Sequence, residues 1–300
     1  MKKIFLGLML SLTFLCYGAS KDILSTKNEI SKNFYSALKE KKFLIAAHRG
    51  NFTGNVIDNT ELSAIAALKL GADIIEIDSV MSTDGILYAY HDGEEKRSFK
   101  IEQNLKTLSS KEIEELEYFN CLGQKSGQKV IKLEDLLLKL KGKCFINLDR
   151  SWNYLDKIFP LVKKLGMENQ VIIKTHPTDK AFDFLKNSDI KLMYMVIASK
   201  KEDISKFMIP EINLVAAEIL FKNENDEIIN KEFLDSLKDK NIKIWINSLN
   251  LGKKSNLNAH YDDNLSIAND GAGWKWLVGR GADIIQTDWP RLVKDFRDSL

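Results

Sequence analysis

Residues 71–93 read GADIIEIDSVMSTDGILYAYHDG. Ala72–Asp78 is an apolar run with the composition of a strand. A second run, Ile86–Tyr90, follows after only a few residues, too soon for the crossover that parallel strands require. Asp84-Gly85 between them is a hairpin-turn signal. Ser79–Tyr90 therefore reads as a β-hairpin. With Asp84-Gly85 as a two-residue turn, Thr83 faces Ile86, Met81 faces Tyr88 and Asp78 faces His91. Directly opposed residues point to one side of a sheet, and Glu76 and Asp78, two apart, share a face. That register predicts two carboxylates and one imidazole together, and a slip of one residue would break the grouping.

Outward from this segment the chain alternates short apolar runs with helical patterns. The runs are Phe43–Ala47, Ala72–Asp78, Cys144–Leu148, Val171–Lys174, Leu192–Ile197, Leu214–Leu220, Ile242–Ile246 and Ala282–Thr287. Helical stretches such as Glu61–Leu70, Leu133–Leu140, Tyr154–Leu165 and Lys231–Leu237 lie between them. Eight strand-like runs separated by helices predict an α/β fold, a (β/α)₈ TIM barrel, with the hairpin and an inserted region after the second barrel strand. An open doubly wound sheet is the alternative. Ile30, Phe34 and Leu38 recur every four residues and predict an amphipathic lead-in helix within 21–42. In the inserted region, Ser109-Ser110-Lys111-Glu112 reads as a helix start with a capping box.

The N-terminal MKKIFLGLMLSLTFLCYGAS has the layout of a secretory signal peptide at 1–20: two lysines, an apolar run too short for an ordinary membrane span, then small residues. It predicts a secreted or periplasmic protein with no stable membrane insertion after cleavage, and one barrel domain over 43–300. The whole chain carries 44 basic and 42 acidic residues. Without Lys2 and Lys3 the balance is zero, which gives no reason to expect nucleic acid as a partner. Cys121 and Cys144 remain after Cys16 is lost, and they are read as two separate thiols, with one disulfide between them as the alternative. Oligomeric state is left open.

Polar residues repeatedly end these strands: His48 and Arg49, Glu76 and Asp78, Asn147 and Asp149, then Lys174, Glu218, Asn247 and Asp288. In a barrel these ends converge on the C-terminal face, where active sites sit. Glu76, Asp78 and Asp149 offer hard oxygen ligands suited to a divalent cation, Ca²⁺ or Mg²⁺. His48 and His91 suit general acid–base work. Arg49 suits phosphate. Trp245 either stacks on substrate or fills the core. His260, Asp262 and Asp263 lie in the polar stretch Asn250–Gly271, read as a solvated loop with a lid or second metal site as the alternative. His176 is read as loop structure, and Trp274 and Trp276 as packing residues.

These segments resemble the glycerophosphodiester phosphodiesterase family. The resemblance is carried by AHRGN at 47–51, NT at 59–60, GADIIEID at 71–78, TDG at 83–85, HDG at 91–93, INLDR at 146–150, WINS at 245–248 and QTDWP at 286–290. It implies a (β/α)₈ barrel of the phospholipase-C-like type that hydrolyses small phosphodiesters such as glycerophosphocholine to glycerol 3-phosphate and an alcohol. It implies His48 and His91 as the acid–base pair, Arg49 as a phosphate contact, and Glu76, Asp78 and Asp149 as metal ligands. The chain departs from the family pattern in four places. Asp149 stands where Glu is usual, Asp58 where Glu often precedes Asn-Thr, Ser151 where Lys is often found, and Trp289 where a small or basic residue is usual; against that pattern Lys174, at the end of the next strand, is read as supplying to the phosphate the positive charge that Ser151 lacks. The alternatives are a related phosphodiesterase for lysophospholipid, phosphoinositol or a teichoic-type polymer, and a non-catalytic barrel that binds phosphate esters.

Overall fold

The computed structural model describes residues 23–51, 53–252 and 255–300. The signal-type segment 1–20 lies outside the described residues. Eleven strands are described in chain order: β1 (Leu44–Ala47), β2 (Ile74–Met81), β3 (Leu87–Ala89), β4 (Glu117–Phe119), β5 (Lys125–Lys129), β6 (Phe145–Asp149), β7 (Val171–Thr175), β8 (Met193–Ala198), β9 (Leu214–Ile219), β10 (Lys243–Asn247) and β11 (Ile284–Thr287). Eight of them pair in parallel in the order β1-β11-β10-β9-β8-β7-β6-β2, and β1 pairs with β2 to close the ring. The structure is the (β/α)₈ barrel the sequence predicts, with helices between the strands. Each apolar run supplies one staple of this ring because every barrel strand is covered on its outer side by helices and on its inner side by other strands.

Side-chain alternation divides each strand between two cores. Leu44, Ala46, Ile74, Ile172, Met193, Met195, Ala216, Trp245 and Ile284 fill the barrel interior. Residues of opposite parity, such as Ile45, Ile75, Ile146, Ile173 and Ile285, face the helices. Continued along the inner face, the same period places His48, Glu76, Asp78, Asp149, Lys174, Glu218, Asn247 and Asp288 at the mouth.

The lead-in helix spans 23–40. Its Phe34 is fully buried against the barrel interior, edge-on to Phe145 at 5.6 Å between ring centres. Ser31 exchanges hydrogen bonds with Asn213. The helix thus covers the end of the barrel opposite the mouth. Phe34→Ala is expected to cost about 3–5 kcal/mol of unfolding free energy in denaturant titrations, with little change in activity.

The hairpin forms, but its register differs by one residue from the expectation. Ser79 pairs with Ala89, Val80 with Tyr88 and Met81 with Leu87. The turn therefore has three residues, Thr83-Asp84-Gly85, closed by the Ser82 amide on the Ile86 carbonyl at 2.9 Å. Gly85 takes the left-handed position (φ +86°) that such loops require. The tip is held from outside the hairpin: Asp84 accepts from the Ser110 amide at 2.8 Å and its hydroxyl at 2.5 Å. Tyr90, not His91, lies across from Asp78, with its amide on the Asp78 carbonyl at 3.1 Å. The inserted region packs as its own small core of Ile57, Val80, Tyr88, Tyr90, Phe99, Leu105, Ile113, Tyr118 and Val130. Ser109 caps the helix Ser110–Glu115 with the capping box read from sequence.

Candidate active site

The barrel register brings the three carboxylates together. Asp78 on β2 lies directly beside Asp149 on β6, and Glu76 one inward step below. Carboxylate oxygens of Glu76, Asp78 and Asp149 all lie within 4.8 Å of one another. Glu76 and Asp78 are almost fully buried. Burial and the neighbouring Asp78 and Asp149 charges push the Glu76 carboxyl up to about 8. Three carboxylates this close cannot all ionise comfortably without a cation among them. Their hard oxygens fit Ca²⁺ or Mg²⁺ and do not resemble a structural zinc set.

The three carboxylates are held from behind. Asn59, in a left-handed conformation (φ +56°), donates to Asp78 Oδ2 at 2.8 Å and accepts the Asp78 amide at 3.0 Å. The Arg49 amide donates to Glu76 Oε2 at 2.8 Å. Asp149 Oδ1 accepts the Arg150 amide at 2.6 Å, and Oδ2 faces Lys174 Nζ at 2.6 Å. Although burial opposes ionisation of Asp149, Lys174 and the Arg150 amide outweigh it, so its pKa is lowered.

The two histidines have opposite surroundings. His48 ends β1, and its Nδ1 is 2.8 Å from Asp288 Oδ1 at the end of β11. Burial disfavours the charged ring, but the Asp288 hydrogen bond and the Glu76 charge outweigh it, and the His48 pKa is raised. His91 follows β3. Its Nε2 is 3.1 Å from Arg150 Nη1, and its Nδ1 is 3.6 Å from Glu94 Oε1. Burial is the largest influence on His91 and lowers its pKa; Arg49 and Arg150 add to it, and Asp78 and Glu94 oppose it. His91 therefore remains within reach of the Asp78 charge despite the shifted hairpin register, because the turn at His91-Asp92-Gly93 carries it back over the mouth.

Arg49 sits among carboxylates. Its Nε is 3.1 Å from Asp78 Oδ2, and its Nη1 lies 3.3 Å from Asp58 and 2.7 Å from Glu94. Lys174 is 2% exposed, paired with Asp149 and, at 3.2 Å, with Glu218. It is therefore committed to the barrel's own carboxylates and does not stand open to a phosphate, a correction to its expected role. Trp245 is also corrected. It is fully buried in the barrel interior, with Nε1 donating to Asn247 Oδ1 and Gln286 Oε1, both at 3.1 Å. Its place on an inward-facing position one layer below Asn247 makes it core under the site, not a surface for substrate.

Three groups at the site escape the sequence reading of roles. Asp288 is named there only as a strand end, yet it holds His48. Arg150 ends the INLDR motif without a role, yet it joins His91 to Asp92, with Nε at 2.7 Å from Asp92 Oδ1. Asp263 was expected in a solvated loop, but it is buried at the start of the helix Asp263–Ala268. Its carboxylate accepts from the Ser248 hydroxyl at 2.6 Å, the Trp274 indole at 2.8 Å, the Thr287 hydroxyl at 2.9 Å and the Asp288 amide at 3.1 Å. These donors mark it as a structural hub beneath Asp288, not a second metal site. Asp262 caps the same helix. His176 packs against Trp152, and Trp276 stacks on Tyr261. Cys121 and Cys144 are separate thiols.

A family model described as a domain of unknown function matches residues 192–296. A glycerophosphodiester phosphodiesterase of Caldanaerobacter subterraneus subsp. tengcongensis is 29% identical over 160 residues, covering 51% of this chain and 63% of the relative. The mouse lysophospholipase D GDPD3 is 27% identical over 138 residues, covering 43% of this chain and 41% of that protein. The chain thus spans less than two thirds of the length of these curated relatives. Among solved structures, a glycerophosphoryl diester phosphodiesterase from Parabacteroides distasonis superposes with a TM-score of 0.69 at 18% identity, over 87% of this chain and 90% of that one. A phosphodiesterase from Oleispira antarctica, in complex with the product sn-glycerol-3-phosphate, superposes with a TM-score of 0.61 at 14% identity, over 85% and 96%. At these identities the structural likeness speaks for the fold. Glycerophosphodiester phosphodiesterases thus stand both among the chain's curated homologues and among its structural neighbours, in agreement with the family its own motifs resemble.

Proposed function

We propose that this chain is a metal-dependent phosphoric diester hydrolase that cleaves glycerophosphodiesters to glycerol 3-phosphate and an alcohol. The observation that carries this reading is the single mouth shared by the carboxylates Glu76, Asp78 and Asp149 and two histidines in opposite electrostatic surroundings. A divalent cation on the three carboxylates would supply charge neutralisation to the phosphate oxygens.

Environments that push two titratable groups apart assign their roles. His91, its pKa lowered, is the base: its neutral Nε2 takes the proton of the attacking hydroxyl, from water or from the neighbouring glycerol hydroxyl. The new oxygen–phosphorus bond forms as the bond to the leaving alcohol breaks. His48, its pKa raised and its Nδ1 turned to Asp288, is the acid: its Nε2–H gives a proton to the leaving oxygen. With the neighbouring hydroxyl as nucleophile, the cyclic ester that forms is opened by water, with the two histidines exchanging roles. Arg49 keeps positive charge beside the phosphate while tying Asp58 and Glu94 to the site.

The substrate assignment is tested by product release from a panel. Glycerophosphocholine is expected to yield glycerol 3-phosphate faster than lysophosphatidylcholine yields lysophosphatidic acid. The reverse order would transfer the site to intact lysophospholipids. The secreted or periplasmic location, proposed from the signal-type segment 1–20, is checked by the N-terminal residue of protein recovered from culture fractions.

A further inference from the structure

We propose that Arg150 is the side chain that grips a non-bridging oxygen of the phosphodiester, and that it does so by moving off His91 onto the phosphate. This inference rests on the phosphodiesterase reading above. Three basic side chains stand at the strand ends around the carboxylates. Lys174 is buried between Asp149 and Glu218. Arg49 has its Nε 3.1 Å from Asp78 Oδ2, an ion pair without hydrogen-bond geometry, and its Nη1 shared by Asp58 and Glu94. Arg150 differs from both. Its side chain is 29% exposed, against 13% for Arg49 and 2% for Lys174. It pairs through Nε with Asp92 alone, and Asp92 is itself shared with Lys106. Among the described residues the Nη2 of Arg150, like that of Arg49, bonds to nothing; what sets Arg150 apart is its greater exposure and its single carboxylate partner, where Arg49 has three.

The backbone aims this fork at the site. Arg150 follows Asp149, one of the three candidate ligands, and its own amide is fixed on Asp149 Oδ1. It adopts a left-handed conformation (φ +54°), a strained choice for a long side chain. From that backbone position the guanidinium reaches Asp92 and His91. Strain of this kind persists only where surrounding contacts enforce it, and it clusters at functional sites.

The contact with His91 explains the exchange. Nη1–H meets the lone pair of a neutral Nε2 at 3.1 Å. A phosphate oxygen is a charged acceptor and forms the stronger, paired bond with a guanidinium. Substrate therefore draws Arg150 from the imidazole to the phosphate while Nε can keep its bond to Asp92. The same movement uncovers the Nε2 lone pair that must accept the nucleophile's proton. Arg150 thus couples phosphate binding to exposure of the base.

The test measures binding of sn-glycerol 3-phosphate by calorimetry, in Mg²⁺ buffer, to wild type, Arg150→Gln and Arg150→Lys, with turnover of glycerophosphocholine measured alongside. Arg150→Gln is expected to weaken product binding roughly 10- to 100-fold, as removal of charge-assisted hydrogen bonds does. Arg150→Lys keeps the charge and the Asp92 ion pair but loses the fork, and is expected to recover part of the affinity. Should Arg150→Gln fail to fold, a several-fold loss in Arg150→Lys carries the same conclusion. Wild-type affinity in either folded variant would overturn the assignment. Product binding that depends on Arg150 in a wild type that turns over no diester would support this assignment and sink the phosphodiesterase reading. Diester turnover and product binding unaffected by Arg150→Gln would do the opposite.

Discussion

His91→Ala and His48→Ala are each expected to lower turnover of a glycerophosphodiester by about 10²–10⁴-fold, the usual weight of a positioned general acid or base. The two losses are separable by pH. Under the proposed mechanism the wild-type rate needs His91 neutral and His48 protonated. The His91 pKa is lowered, so the acidic limb of the profile lies below the ordinary histidine value. The His48 pKa is raised, so the alkaline limb lies above it. Asp288→Asn removes the partner that raises His48, and the alkaline limb is expected to move to lower pH while the acidic limb stays in place. A leaving group that needs no proton, such as p-nitrophenolate, should rescue His48→Ala and not His91→Ala. Rescue of His91→Ala instead would exchange the two roles.

Removal of divalent cations by a chelator is expected to lower the rate about 10²–10³-fold, the scale on which one preorganised electrostatic contact acts in a transition state. Activity is expected to return with Mg²⁺ or Ca²⁺, and Glu76→Gln is expected to prevent the return. Cation binding is also expected to release protons. The metal-free Glu76 carboxyl is pushed up to about 8 by burial and by Asp78 and Asp149, whereas a bound cation needs it ionised. Cation affinity therefore rises with pH up to about 8 and levels beyond it. Calorimetry in buffers of different ionisation enthalpy reads the proton count, expected to approach one per cation near pH 7. Cation binding without proton release, and independent of pH from 6 to 8, would place the metal elsewhere.

Much of the fold is legible in the sequence because each barrel strand is buried on both sides and shows as an apolar run. The runs beginning at Phe43, Cys144, Val171 and Leu214 become β1, β6, β7 and β9 within a residue or two. The carboxylate triad is legible for the same reason: inward-facing Glu76, Asp78 and Asp149 continue the period of Ile74 and Asn147. Trp245 could have been placed by this rule too, since it alternates with Asn247 on the inner face and lies below it.

The hairpin register was not legible. Asp84-Gly85 suits a two- or a three-residue turn, and the choice is made by Ser110, distant in sequence, whose amide and hydroxyl hold Asp84. The same holds for His48 and Asp288, which meet only because β1 and β11 are neighbours in the closed ring. Asp263 was hidden by the polarity of its surroundings. Its donors come from Ser248, Trp274, Thr287 and the Asp288 amide, and none is visible as a local pattern. Arg150 carries no signal beyond its place after Asp149, and its reach to His91 depends on a left-handed backbone.

The most direct measurement is glycerol 3-phosphate released from glycerophosphocholine by the purified protein, assayed with Mg²⁺ or Ca²⁺, with chelator, and with His91→Ala. Release that requires the cation and disappears in His91→Ala is the predicted result. No release by wild type in either cation, or release unchanged by both the chelator and the substitution, would contradict the account.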